Sequence, residues 1–189
     1  MQIEEVINKK QARDFLRTPK VLYRNDSTWV CPLDREINAV FDPGKNTFFK
    51  HGEATRFVLR NEKGQLKGRI AAFIDQKSAW TNAQPTGGIG FFECIDDQGA
   101  ANLLFDTARE WLASRKMEAM DGPVNFGETD KYWGLLVEGF SHPAYEIAYN
   151  FPYYQALFES YGFQRYYNQE GVDLDITRLL ADRFAKISG

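Results

Sequence analysis

Between Gly87 and Phe126 the chain reads as strand, helix and strand, and this succession limits its fold more than any other stretch. Ile89-Gly90-Phe91-Phe92-Glu93-Cys94-Ile95 is an apolar, aromatic-rich run of strand length. It enters an acidic turn, Asp96-Asp97-Gln98-Gly99. From Gly99 to about Arg115, Ala100, Leu104, Ala108, Trp111 and Leu112 recur at three- and four-residue intervals. That spacing puts them on one face of a helix. Asp96 or Asp97 suits the N-cap, where a carboxylate accepts an orphan N–H and meets the positive end of the helix dipole. A second apolar run, Met117 to Val124, follows. A strand feeding such a helix aims free N–H groups at whatever lies beyond it, the arrangement that proteins use to hold phosphates.

The flanking sequence fills in the remaining elements. Gln2 to Ile7 alternates weakly as a first strand, Lys9 to Leu16 is helical, and Pro19 is expected to stop that helix. Val21-Leu22-Tyr23 is then a short apolar run before a polar turn. Pro32 to Phe41 reads as a second short helix, ended by Asp42-Pro43-Gly44. A hairpin is clearest at Thr55 to Arg60 and Leu66 to Ile74, joined by Asn61-Glu62-Lys63-Gly64 with Gly64 free to take a positive φ. Ser78 to Thr86 is a loop. After the central unit, Tyr132 to Phe140 is expected to be a short helix. Pro152 to Tyr161 is amphipathic, with Gly162 placed as its left-handed terminator. Phe163 to Tyr167 and Gly171 to Leu174 are expected as a last strand pair, and Thr177 to Ile187 as a final helix. The order predicts an α/β fold with a mixed, largely antiparallel sheet rather than a doubly wound parallel one. One domain over 1–175 is expected, with 176–189 as an appended helix.

Composition narrows the function classes. The 189 residues are 43% hydrophobic and 15% aromatic, enough for one well-buried core. A net charge of −3 argues against a nucleic-acid surface. No apolar run is long enough for a membrane span, and the first residues lack a basic and then apolar leader. Cys31 and Cys94 lie far apart without metal-like spacing and are expected as reduced thiols of a cytoplasmic protein. With only His51 and His142, a multi-histidine metal site is not expected.

Individual residues admit competing roles. Glu93 is either a general base drawing a proton from an amine or a strand carboxylate pointing to solvent. Cys94 reads as a small buried residue, with no histidine close in sequence to activate it. Asn125 to Trp133 is the densest polar and aromatic loop, either functional or an ordered turn bonded to its own backbone. Arg69, in an apolar strand, pairs with a bound anion, with Glu53 or with Glu93. Tyr149, Tyr153 and Tyr154 line a pocket or form core with their hydroxyls reaching water.

The order of elements resembles the GNAT acyltransferases, which move an acyl group from acyl-CoA to an amine. Phe91-Phe92-Glu93-Cys94-Ile95 running into Gly99-Ala100-Ala101, and Asn150 to Tyr161-Gly162-Phe163, carry the likeness. Gly68-Arg69-Ile70-Ala71-Ala72, Gly122-Pro123-Val124-Asn125-Phe126 and Tyr149-Asn150-Phe151-Pro152-Tyr153-Tyr154 are similar to the bacterial YghO-like group within that superfamily. The resemblance implies acetyl-CoA or another acyl-CoA as donor and a small-molecule or peptide amine as acceptor. It implies that the pantetheine arm pairs along Cys94 and Ile95, that Gly99 and Ala101 flank the phosphates, and that Asn125 and Asn150 bond the arm or the acyl end. Glu93 would be the base and Tyr154 a further catalytic residue. It also implies more sequence after this region, so the Thr177 helix is either a connection to another half or a homodimer contact.

Two departures favour a second reading, a catalytically silent binding or interaction domain. The family's phosphate turn begins with a basic or amide residue, whereas Asp96 stands here with Asp97 beside it. A carboxylate about 5 Å from a phosphate costs on the order of 3 kcal/mol at an effective dielectric near 20. The position where the family often has a tyrosine acid is Phe158.

Overall fold

The computed structural model describes residues 1–81, 83–128, 131–143 and 147–172. Its elements run β1 (Gln2–Glu5), α1 (Lys9–Leu22), α2 (Asp34–Val40), a 3-10 turn (Thr47–Lys50), β2 (Gly52–Arg60), β3 (Leu66–Asp75), β4 (Thr86–Cys94), α3 (Gln98–Ala113), β5 (Ala119–Asp121) and α4 (Tyr154–Tyr161). The five strands lie in sequence order, β1 to β4 antiparallel and β4 with β5 parallel. This is the mixed, largely antiparallel α/β arrangement that the order of patterns predicts.

The sheet separates two cores. On one face α3 and α4 pack Ala101, Leu104, Phe105, Leu157 and Phe158 against Ile70, Ala72, Ile74 and Ile89. On the other, Phe15, Leu16, Ile37 and Val40 from α1 and α2 cover Val58, Ala71, Phe73 and Phe91. Alternation along β3 sends successive side chains to opposite cores, so the strand is buried almost throughout. The β2–β3 hairpin turns where expected: the Asn61 side chain accepts from the Lys63 and Gln65 amides at 3.1 and 2.9 Å, and Gly64 sits at φ 73°.

Helix α1 does not stop before Pro19. It runs through to Leu22, with Asn8 capping its start by accepting from Lys10 and Gln11. A proline inside a helix removes the donor that the carbonyl four residues earlier would use. Here that carbonyl belongs to Phe15, and Arg69 Nη1 donates to it at 3.1 Å. The missing bond is supplied from another strand, so the helix continues.

Three further expectations change. Residues 132–140 are not helical. Gly134 and Gly139 interrupt them at φ 80° and 75°, and the Leu136 amide and carbonyl bond the Asn150 side chain rather than helical neighbours. Residues 163–167 form no strand: Phe163 packs on Phe105 and Phe158, while Tyr166 and Tyr167 are exposed. Of the 117–124 run only Ala119–Asp121 is strand, extended by the Val124 amide donating to Ile89. Gly171 and Val172 are exposed and outside any strand; 173–174, the Thr177 helix and the boundary at Asp175 lie outside the described residues. Among the described residues no helix is long and apolar enough to cross a membrane.

Candidate functional site

The site is set by an irregularity in β4. Arg69 pairs with Glu93 and Ala71 with Gly90, so Ile70 on β3 faces both Phe91 and Phe92 on β4. One strand has an extra residue, and Phe91 takes φ 52° to accommodate it. Before the bulge Ile89 faces the α3 core; after it Phe92 and Cys94 do. Phe91 joins the opposite core, and Glu93 falls on that side too, across from Arg69. Unbroken alternation from Ile89 would have pushed Glu93 into the apolar contacts of α3. The bulge instead faces it toward Arg69.

Glu93 and Arg69 form a deeply buried pair. Their side chains are 12% and 4% exposed, and Arg69 Nη2 donates to Glu93 Oε1 at 3.4 Å. The Tyr154 hydroxyl donates to Glu93 Oε2 at 2.8 Å while accepting from the Cys94 amide at 2.9 Å. The Tyr23 hydroxyl lies 3.4 Å from that of Tyr154. Burial pushes the Glu93 carboxyl up, against the pull of Arg69 and the two tyrosine hydroxyls. Burial and the Glu93 charge raise Tyr154 well above an ordinary phenol, so it holds its proton toward Glu93. Arg69 also lies over the Phe15 ring, its Cζ 4.7 Å from the centroid. A guanidinium so enclosed needs its counter-charge, because removing one partner of such a pair leaves the other buried and uncompensated.

Arg69, Glu93 and Tyr154 line a cavity of about 560 Å³. Trp29, Leu33 and Ile37 form its wall on the α1–α2 side. The segment after β5 adds Tyr132, Leu135, Ile147 and Tyr149 to the lining. The cavity exists because β4 and β5 part company. Their ladder ends at Gly88 with Asp121, the Val124 amide adds a last bond to Ile89, and β4 continues without β5 to Cys94.

On the edge of β4 beyond the bulge, Cys94 turns both main-chain groups away from β3. Tyr154 takes its amide and the Tyr153 hydroxyl donates to its carbonyl at 2.8 Å. Two phenols therefore stand where a neighbouring strand or a ligand's amide would bond. Farther along, Asp97 caps α3 by accepting from the Ala100 amide at 2.9 Å. Burial, then the charges of Asp97 and Glu93, push the Cys94 thiol up to about 12, which rules it out as a thiolate nucleophile near neutrality.

The residues expected from the sequence are thus gathered unevenly. Glu93, Tyr154 and Asn150 line one cavity. Asn150 is occupied with Leu136 and the Phe151 carbonyl, and Asn125 donates to Glu128. Cys94 is buried with its backbone engaged, Ile95 donates its amide to Lys67, and Gly99 and Ala101 lie in the first turn of α3 behind the Asp97 carboxylate. Arg69 pairs with Glu93, whereas Glu53 is held by Arg115 at 2.9 Å. Tyr149 reaches Asp26 at 2.8 Å, so the hydroxyls of the tyrosine cluster bond protein groups. Sequence reasoning missed Tyr23, Trp29 and the bulge at Phe91. A proline within an amphipathic run, Pro19, was the one local sign that a carbonyl had another partner. Among the described residues no group of three or more His, Cys, Asp or Glu could hold a metal.

No protein-family model matches the chain. Its sequence is 31% identical over 173 residues to protein YghO of Escherichia coli, covering 91% of this chain and 42% of that protein. The chain thus spans less than half the length of this relative. Among solved structures it is similar to a predicted acetyltransferase from Clostridium acetobutylicum solved with acetyl-CoA, at a TM-score of 0.54 and 14% identity, covering 93% of this chain and 96% of that one. An acetyl transferase candidate from Pyrococcus furiosus matches at a TM-score of 0.51 and 12% identity, over 92% of this chain and all of that one. The five-stranded sheet, the bulged β4 and the cavity where β4 leaves β5 thus belong to a chain with the GNAT acetyltransferase fold and a relative of YghO in sequence.

Proposed function

We propose that this domain transfers an acyl group from an acyl-CoA thioester to an amine held in the cavity above Glu93. The observation that carries the reading is the Glu93 carboxylate, set in the cavity lining by the bulge and fixed by Arg69 and Tyr154. In this reaction the amine nitrogen attacks the thioester carbonyl carbon, the C–N bond forms and the C–S bond breaks. Glu93 accepts the proton that leaves nitrogen, and the departing thiolate takes one from solvent. A raised carboxyl suits that task, since a base works best with a pKa near the operating pH. Tyr154 positions Glu93 through its short hydrogen bond, and the remainder of the rate comes from holding amine and thioester together. The donor's arm would run along the Cys94 edge toward the Gly99 end of α3, displacing the Tyr153 hydroxyl.

A second reading is favoured by the state of that edge. Tyr153 and Tyr154 already satisfy Cys94, and Asp97 already satisfies the start of α3, as they would in a domain that binds a ligand without acyl-CoA. Thermal shift with acetyl-CoA and longer acyl-CoAs separates the two, because a ligand that binds only the folded state raises the melting temperature. Transfer predicts a dose-dependent rise, enlarged in Tyr153→Phe, and release of free CoA thiol when amines are added. An unmoved melting temperature in both proteins would leave only the silent domain.

A further inference from the structure

Resting on the transfer reading, the cavity walls narrow the acceptor, and we infer that it is a hydrophobic primary amine: one ammonium carried on an aryl or branched-alkyl body. Three observations carry this. First, the lining is aromatic and aliphatic from two separate stretches of chain, Trp29, Leu33 and Ile37 before β2 and Tyr132, Leu135 and Ile147 after β5. A saccharide or a peptide backbone would bring hydroxyls and amides that such walls leave unpaired. Second, charge on the described lining residues is balanced. Glu93 is matched by Arg69, and Glu36, whose carboxylate takes the Tyr132 hydroxyl at 3.4 Å, shares the lining with Lys131 and His142. Among the described lining residues there is no surplus of carboxylates for a second or third ammonium, so a polyamine would have to strip cationic centres of water against aromatic rings. Third, the apolar surface continues outward. Val30, Leu33 and Ile147 are half exposed on this lining, an apolar rim that a hydrophobic body would cover on entering.

Glu93 supplies the anchoring polar contact. Each of its oxygens already accepts one bond, one from Arg69 and one from Tyr154, and a carboxylate has lone pairs for more. The ammonium would sit beside Glu93 and the apolar body between Trp29 and Tyr149, whose hydroxyl is turned away to Asp26.

The test compares 2-phenylethylamine, tryptamine and isoamylamine with spermidine and glucosamine, using acetyl-CoA as donor and thiol release as readout. Binding of each amine without donor is followed in parallel by NMR line shifts. We expect the hydrophobic amines to exceed the others in kcat/KM by about tenfold or more. Leu33→Ala and Ile147→Ala, at exposed positions that leave the core intact, should each raise their KM about tenfold and leave the KM for spermidine unmoved. Preference for spermidine or glucosamine, or indifference to both variants, overturns the inference and leaves acyl transfer standing. Binding of hydrophobic amines that Leu33→Ala weakens, with no thiol released from any amine, removes the transfer reading but keeps the assigned ligand chemistry. Absence of both binding and turnover overturns the inference itself.

Discussion

Phe15 gives its main-chain carbonyl to Arg69 Nη1 at 3.1 Å, across 54 residues of sequence. The bond is open to Arg69 because Pro19, one turn later in α1, has no N–H to offer. A proline that would ordinarily end a helix here exposes an acceptor to a buried cation. The same cation balances Glu93, so the acceptor that Pro19 leaves open and the candidate base are joined through one guanidinium.

Arg69→Ala should therefore destabilise the fold by about 3–5 kcal/mol, since it strands Glu93 in the interior. Arg69→Met combined with Glu93→Leu should recover most of that loss, because neither charge then remains. Urea unfolding of the wild type, the single variant and the double variant measures both effects. A double variant as unstable as Arg69→Ala would show that packing, not charge pairing, holds this region.

At the start of α3, Asp97 combines two roles that substitution can separate. Asp97→Ala should lose about 1 kcal/mol of stability with the cap on Ala100. Asp97→Asn keeps an oxygen for that amide and removes the charge, so stability should change little while acetyl-CoA affinity rises. Equal affinity in Asp97→Asn and the wild type would take this turn out of contact with phosphate.

Far from the cavity, Asp75 lies 2.6 Å from His51 Nδ1 and accepts from Lys77 and Ser78. Burial raises its carboxyl, but these bonds outweigh burial and leave it below the usual carboxylate range. A depressed acid stabilises the fold at pH above its unfolded value, and that contribution fades as pH falls through the folded one. Asp75→Asn should thus lower the urea midpoint near neutrality and narrow its gap with the wild type at about pH 3. A gap of constant size across that range would remove the ionised carboxylate from the explanation.

The two cysteines should behave oppositely toward a thiol reagent. Cys31 is exposed, whereas Cys94 is buried and its thiol held high. Ellman's reagent should label a single thiol in the native protein and a second only on unfolding, with Cys31→Ser abolishing the first. Rapid labelling of Cys94 in the native state would mean that β4 is open at its end.

The elements that could be read from the sequence were those whose pattern is local. The α3 spacing, the Asp97 cap and the Asn61–Gly64 turn each involve residues within a few positions of one another. What escaped depends on partners distant in sequence. Arg69 rescues α1 from Pro19, Asn150 takes over the backbone of Leu136 and prevents a helix there, and Tyr23 meets Tyr154 across 131 residues. Glu93 was visible as a carboxylate in a strand, but not its direction, because that depends on counting residues opposite Ile70 rather than on any residue's chemistry.

That dependence on counting gives the bulge at Phe91 a further meaning. A pleated strand carries a phase, and the extra residue advances it by one step between Ile89 and Cys94. Removing Phe91 would heal the bulge and leave Phe92 and Cys94 on the α3 side and Glu93 beside Arg69, whereas one residue added between the bulge and Glu93 would exchange these destinations at once: the carboxylate would enter oil and the thiol would meet the guanidinium. Length can drift at the Asn61–Gly64 hairpin tip without consequence, but in this short interval an insertion of one residue would scramble the site as surely as replacing its members.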